Sequence, residues 1–98
     1  MAFIQIIDYR TDCPEEVDRV LTEWINASAG RRTATRTRVC RDRDDPTHYM
    51  EILEFDSYDD AVVNSELTMT NAAHEAFVPL CTEGPHFINL DVMRDESW

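Results

Sequence analysis

The hydrophobic and polar residues of this chain follow two periodicities that alternate along its length. Four segments are rich in β-branched and aromatic residues, which is typical of strands. These predicted strands cover residues 3–9, 33–41, 47–55 and 86–93. Between the first two, apolar residues recur at helical spacing over 13–29, so a helix is predicted there with Asp12 as its N-cap.

A second predicted helix is broken in two. Its first piece covers residues 58–65 and follows Ser57, which is a typical N-cap residue. The other piece begins at Thr68 or Thr70 and ends near Leu80. The element order β-α-β-β-α-β predicts an α+β, ferredoxin-like fold with a four-stranded antiparallel sheet. At 98 residues the chain is expected to form a single domain over 1–98.

Strand residues alternate between the two faces of a sheet, so the side chains of each strand divide into two sets, one for each face. One face is almost purely aliphatic and is predicted to lie under the helices; it includes Ile4, Ile6, Met50, Ile52, Ile88 and Leu90. The other face mixes aromatic and polar side chains; it includes Phe3, Gln5, Tyr9, Tyr49, Glu51, Leu53, Phe55, Phe87 and Asn89. In a monomer this mixed face would expose a large apolar patch, so a second copy is predicted to pack on it with a cavity between the two sheets.

The charge is distributed unevenly. The chain carries a formal net charge of −11, and all nine basic residues are Arg. Six of them lie within 31–43, which carries +5, so the remaining residues carry −16. Nucleic acids and anionic membranes are not expected partners, because both require a broad basic surface. Strand parity predicts that Arg36 and Arg38 lie on the mixed face, with Arg38 opposite Glu51 if residues 38 and 51 pair.

Targeting and redox features are few. No apolar run approaches the ~20 residues of a membrane span, and the N-terminal segment has no signal-peptide pattern. The three cysteines show neither disulfide nor metal-site spacing, and Cys40 and Cys81 are predicted to be small buried residues. We therefore expect a cytoplasmic protein. No cofactor and no metal are expected, because the chain lacks a Gly-rich phosphate loop and recognised ligand spacing.

The segment from His48 to Ala61 resembles the dimeric α+β-barrel superfamily of antibiotic-biosynthesis-type monooxygenases and their relatives. The shared pattern is a strand that ends in an aromatic residue, followed by the acidic-Ser-x-acidic-acidic-Ala helix start at 56–61. The resemblance implies pairing as a dimeric α+β barrel and a cofactor-independent monooxygenase acting on an aromatic or polyketide-like molecule. The heme-degrading branch implies heme binding through His74, although Ile7 and Ser65 stand where its Asn and Trp would be.

The candidate site residues follow from the mixed face and the resemblance. The candidate catalytic residues are Arg38, Glu51, His48 and Tyr49, with Arg as an anchor for negative charge and Glu51 or His48 as the base. The candidate ligand-binding residues are Arg36, Phe55, Asn64, His74, Phe87 and Asn89. The alternatives are an Arg–Glu pair that only neutralises a dimer interface, a His48 at the surface, and a non-catalytic binding or accessory protein of the same fold.

Overall fold

The computed structural model describes residues 1–98 and contains four strands, three α-helices and one short 3₁₀ helix. In chain order these are β1 (Phe3–Arg10), α1 (Pro14–Ala27), β2 (Ala34–Arg41), β3 (His48–Phe55), α2 (Tyr58–Glu66), α3 (Thr68–Phe77), the 3₁₀ helix Val78–Leu80 and β4 (Glu83–Asp91). The strands form one antiparallel sheet in the order β2-β3-β1-β4. The predicted ferredoxin-like α+β fold is therefore confirmed.

The helices differ from the prediction in two details. The predicted broken helix is two separate helices, because Leu67 between α2 and α3 adopts an extended backbone conformation. The N-cap of α1 is Cys13 and not Asp12, and it makes no side-chain capping bond. Ser57 caps α2 as predicted, with its hydroxyl accepting a hydrogen bond from the Asp60 amide at 3.1 Å. None of the helices is long and apolar enough to cross a membrane.

The helices cover the mixed face of the sheet, and the prediction that they cover the aliphatic face is wrong. Phe3, Leu53 and Phe55 are buried together with Trp24 of α1 and Ala61 of α2 in one core cluster. The alternation of a strand shows which side chains share a face but does not show which face is covered. Here the large aromatic rings lie between the sheet and the helices.

The aliphatic face has no element of this chain packed on it, and we call it the open face. Ile52, Ile6 and Ile88 form a row across the three adjacent strands β3, β1 and β4. The exposed fractions of Ile88 and Leu90 are 40% and 42%. The centre of the open face is therefore apolar and formed by β-branched side chains.

The Arg-rich strand β2 also pairs differently from the prediction. A register shift near its start places Val39, and not Arg38, opposite Glu51. Arg38 instead lies on the open face and donates a hydrogen bond to the carboxylate of Glu54 at 3.3 Å. Arg36 approaches the same carboxylate at 3.9 Å. The predicted Arg38–Glu51 pair is absent, because a bulge of one residue sends every following side chain of a strand to a new partner.

Strand β4 begins earlier than predicted, since Glu83 and Gly84 already pair with β1 or lie within the strand. Gly84 has a φ of +82°, and a Cβ atom there would lie 2.7 Å from the carbonyl oxygen of Asp8. This close approach of two backbones requires glycine. Of the two cysteines predicted to be buried, Cys40 is exposed on edge strand β2 and Cys81 is partly buried.

Candidate functional site

A cavity of about 450 Å³ lies between the helices and the mixed face of the sheet, within a single chain. Ile7, Tyr9 and Glu51 of the sheet form one side, while Leu21 of α1 and Phe77 of α3 lie on the other. Of the 23 lining residues, 14 are hydrophobic, which is the usual character of a small-molecule site. The prediction that the cavity lies between two sheets is therefore wrong.

Glu51 lies on the cavity lining in apolar surroundings. Its cross-strand partners are Ile7 on β1 and Val39 on β2, so neither neighbour offers a hydrogen-bond donor or a positive charge. Burial among these apolar groups raises the pKa of Glu51 from 4.5 to about 7. A carboxyl group with such a pKa can accept or release a proton near neutral pH. Glu51 is thus the group in the cavity best suited to act as a base.

Aromatic rings form the part of the cavity next to Glu51. Tyr9 and Tyr49 are paired across β1 and β3, and their rings stack with centroids 5.8 Å apart and an interplanar angle of 15°. Phe77 of α3 meets the Tyr9 ring edge-on at 4.8 Å. These contacts fix the ring orientations and create flat surfaces against which a planar ligand can pack.

Six of the ten sequence-predicted site residues lie on the cavity lining: Tyr49, Glu51, Phe55, Asn64, His74 and Phe87. Asn64 is buried, and its side-chain oxygen accepts a hydrogen bond from the Thr33 amide at 3.2 Å. His74 on α3 is exposed, and its ring lies 5.7 Å from that of Phe87. Heme binding through His74 stays a prediction.

The other four predicted residues lie outside the cavity lining. Arg36 and Arg38 are on the open face beside Glu54. Asn89 shares the mixed face but lies at its border, where it accepts a hydrogen bond from Gln5 at 3.0 Å. His48 lies on the open face at the start of β3. The structure therefore brings Glu51 and Tyr49 together and separates them from the Arg and His residues that were expected to assist them.

His48 bridges two carboxylates. Its Nε2 lies 2.6 Å from Asp8 and its Nδ1 lies 2.9 Å from Asp42. The pKa of His48 is raised most by the hydrogen bond to Asp42 and next by the hydrogen bond to Asp8. The hydrogen bond between His48 and Asp42 also lowers the pKa of Asp42. The cluster joins the β2–β3 hairpin to the central strand β1, and none of its three side chains is on the cavity lining.

We expect His48→Asn to lose stability mainly at low pH. A His whose pKa is raised by folding stabilises the native state fully below its unfolded pKa of about 6.5, and this contribution disappears as the pH rises through the raised value. The difference in Tm between wild type and variant should therefore shrink as the pH increases from about 6 to about 9. Thermal unfolding followed by circular dichroism over this range measures it. A difference that stays constant with pH would show that the two carboxylates do not stabilise the charged imidazole.

Three prominent residues of the cavity lining, Gln5, Tyr9 and Trp24, are not among the site residues predicted from the sequence. Strand parity predicts Tyr9 and Gln5 on the mixed face together with Glu51, and this shared face is the signal that would identify them as site residues. Trp24 has the spacing of a core residue on the first helix, which favours packing over a role as a stacking platform. It is 6% exposed, lines the cavity, and donates a hydrogen bond from Nε1 to the Thr70 hydroxyl at 2.9 Å. No group of three or more His, Cys, Asp or Glu side chains is arranged to hold a metal ion.

Comparison with solved structures places this architecture among known folds. SnoaB from Streptomyces nogalater, a cofactor-independent oxygenase, is similar with a TM-score of 0.80 and 15% identity, over 96% of this chain and 95% of that chain. A Caulobacter crescentus protein assigned by name to the antibiotic biosynthesis monooxygenases gives 0.82 and 14%, over 95% and 91%. Rv0793 from Mycobacterium tuberculosis gives 0.82 and 10%, over 99% and 100%.

Sequence comparison gives no such match, since no family model and no curated protein matches this chain. Identities of 10–15% show a shared fold, and a fold alone does not determine function. The likeness nevertheless extends over nearly the whole length of each chain. The chain therefore shares its ferredoxin-like α+β fold with SnoaB and with the Caulobacter crescentus protein.

Proposed function

We propose that this protein binds a hydroxylated aromatic or polyketide-like molecule in its cavity and oxygenates it with O₂, without a bound metal or flavin. The observation that carries the proposal is the position of Glu51, a carboxyl group with a pKa of about 7 in an apolar cavity beside stacked aromatic rings. Such a group can deprotonate a weakly acidic substrate at neutral pH. The shared fold with SnoaB, a cofactor-independent oxygenase, supports the same chemistry.

The reaction needs only a base, an activated substrate and O₂. Glu51 takes a proton from a CH₂ group that is activated by an adjacent conjugated carbonyl, which leaves an enolate. The enolate transfers electrons to O₂, a C–O bond forms, and protonation gives a hydroperoxide on that carbon. The O–O bond then breaks with loss of water, so that CH₂ and O₂ become C=O and H₂O. The substrate is oxidised and O₂ is reduced without a further reductant.

Dithranol, a dihydroxylated anthrone, is a suitable probe for this function. We expect the wild-type protein to bind dithranol anaerobically and, in air, to convert it to the corresponding quinone with consumption of one O₂ per molecule. Absorbance follows binding and quinone formation, and an oxygen electrode follows the consumption of O₂. With ¹⁸O₂ we expect one labelled oxygen atom in the new carbonyl group. Binding without turnover above the rate without protein would favour the non-catalytic binding protein. Absence of binding would refute the proposal that the cavity binds an aromatic ligand.

We also propose that the protein is a homodimer that pairs through its open face. A row of isoleucines across three strands is well suited to face a second sheet, because the apolar inner faces of two sheets pack closely in aligned β-sandwiches. A two-fold axis would place the same row of each copy against the other. The Arg36–Arg38–Glu54 cluster then lies in or beside the interface, which agrees with the alternative that these charges have a structural role.

The location we propose is the cytoplasm. Cys13, Cys40 and Cys81 are all free thiols, and Cys40 is exposed. A reducing compartment preserves exposed thiols, whereas an oxidising one favours disulfides.

A further inference from the structure

The cavity offers a base for the proposed reaction. It offers no Arg or Lys side chain that could balance the negative charge that the substrate gains when it loses a proton. The chain has no Lys, and none of its Arg residues lines the cavity. His74, the one basic side chain on the lining, is exposed beside Phe87. When a neutral substrate gives a proton to Glu51, one of its oxygens becomes anionic in apolar surroundings. Neutral hydrogen-bond donors must then stabilise that oxygen.

Tyr9 has the geometry of such a donor. Its side chain lines the cavity, and the residue is only 3% exposed. The stacking on Tyr49 and the edge contact with Phe77 hold the ring in one orientation. Its hydroxyl forms no hydrogen bond within the chain, and the protein contains no fully buried side-chain oxygen or nitrogen without a partner. The hydroxyl is therefore open to the cavity and available to a ligand.

The register of the sheet places Tyr9 near Glu51. Glu51 pairs with Ile7, and Tyr9 pairs with Tyr49, so Tyr9 and Glu51 are diagonal neighbours on the same face of β1 and β3. Diagonal neighbours in an antiparallel pair are about 7–8 Å apart, a separation that a planar ligand can bridge. Burial, followed by the negative charge of Glu51, raises the pKa of Tyr9. The hydroxyl thus keeps its proton in the range where Glu51 titrates, and it remains a donor.

We propose that Tyr9 is a second catalytic residue, whose hydroxyl donates a hydrogen bond to the substrate oxygen that becomes negative when Glu51 accepts the proton. The inference rests on the proposed function. It also narrows the substrate class to uncharged molecules in which the carbonyl oxygen and the acidic C–H lie close enough to meet Tyr9 and Glu51 together. Molecules that enter as carboxylates or phosphates are disfavoured, since Glu51 would repel them and no Arg would receive them.

The test compares Tyr9→Phe with Tyr58→Phe. Both variants lose only a hydroxyl, but Tyr58 is 57% exposed and lies outside the cavity lining. For Tyr9→Phe we expect kcat for dithranol oxidation to fall about 100-fold, as for the loss of one oxyanion donor, with KM changed less than threefold. For Tyr58→Phe we expect wild-type kinetics. Circular dichroism checks that each variant is folded.

A second measurement separates donation from packing. Dithranol bound under nitrogen is titrated by absorbance, and its enol ionises at a lower pH when a donor stabilises the anion. We expect this apparent pKa to be higher in Tyr9→Phe than in wild type and unchanged in Tyr58→Phe. Equal apparent pKa values, or a kcat within threefold of wild type, would overturn the role of Tyr9. A wild-type protein that neither binds nor oxidises dithranol would instead refute the proposed function itself.

Discussion

Glu51→Gln is expected to reduce dithranol oxidation at least about 100-fold while leaving the fold and anaerobic ligand binding intact. The amide has nearly the same shape as the carboxyl group but cannot accept the proton. Because the carboxyl group makes no ion pair within the chain, its replacement breaks no salt bridge. Steady-state quinone formation, measured together with the thermal unfolding curve, checks both parts of this prediction.

The pH dependence gives an independent check on Glu51. Only the deprotonated carboxylate is a base, so kcat/KM of the wild type should rise with pH and level off above a midpoint near the pKa of about 7. The low residual rate of Glu51→Gln should lack this midpoint. The matched control is Glu54→Gln, which changes a carboxylate on the same strand that faces Arg38 on the open face. Equal activities of the two variants would show that Glu51 is not the base.

Ile88→Asp is expected to convert the proposed dimer into monomers. A carboxylate at the centre of an apolar interface costs roughly 2 kcal/mol or more to desolvate, and two-fold symmetry places it there twice. The combined cost of about 4 kcal/mol raises the Kd of the dimer about 1,000-fold. Analytical ultracentrifugation or light scattering at micromolar concentration measures the change in mass.

The control for this prediction is Val63→Asp on α2. Val63 is 48% exposed and Ile88 is 40% exposed, so both substitutions place an acid at a similarly accessible apolar position. We expect Val63→Asp to keep the mass of the wild type, because α2 lies on the opposite side of the sheet from the open face. A wild type that is monomeric at micromolar concentration, or an Ile88→Asp variant that remains dimeric, would contradict pairing through the open face.

The element order was predictable because each element has a local cause. The alternation in β1 and β3, the helical spacing before Trp24 and the cap at Ser57 all act within a few residues, and the structure confirms them. The covered face was not predictable in the same way. Both faces of this sheet carry many apolar residues, so hydrophobicity alone did not distinguish the face under the helices from the open face.

The candidate site was predictable only in part for the same reason. Glu51 and Tyr49 have the same parity in β3, so they lie on one face whichever face the helices cover. Arg38 does not face Glu51, because the register shift in β2 pairs Val39 with Glu51 and leaves Arg38 on the open face. A bulge that lacks a Gly or Pro leaves little trace in the pattern of apolar residues. Tyr9 is a candidate because the helices enclose it, and strand parity alone does not predict that enclosure.

The enclosure of the cavity within one chain has a consequence for how the protein would work as a dimer. Every residue that lines the cavity belongs to one subunit, so each subunit carries a complete set of working groups. A mixed dimer of one wild-type and one Glu51→Gln subunit would keep half the turnover of the wild type, and substrate saturation would follow a simple hyperbola. Pairing would then stabilise the sheet without coordinating the two sites, so that association and chemistry could change independently through substitutions on opposite faces of the same strands.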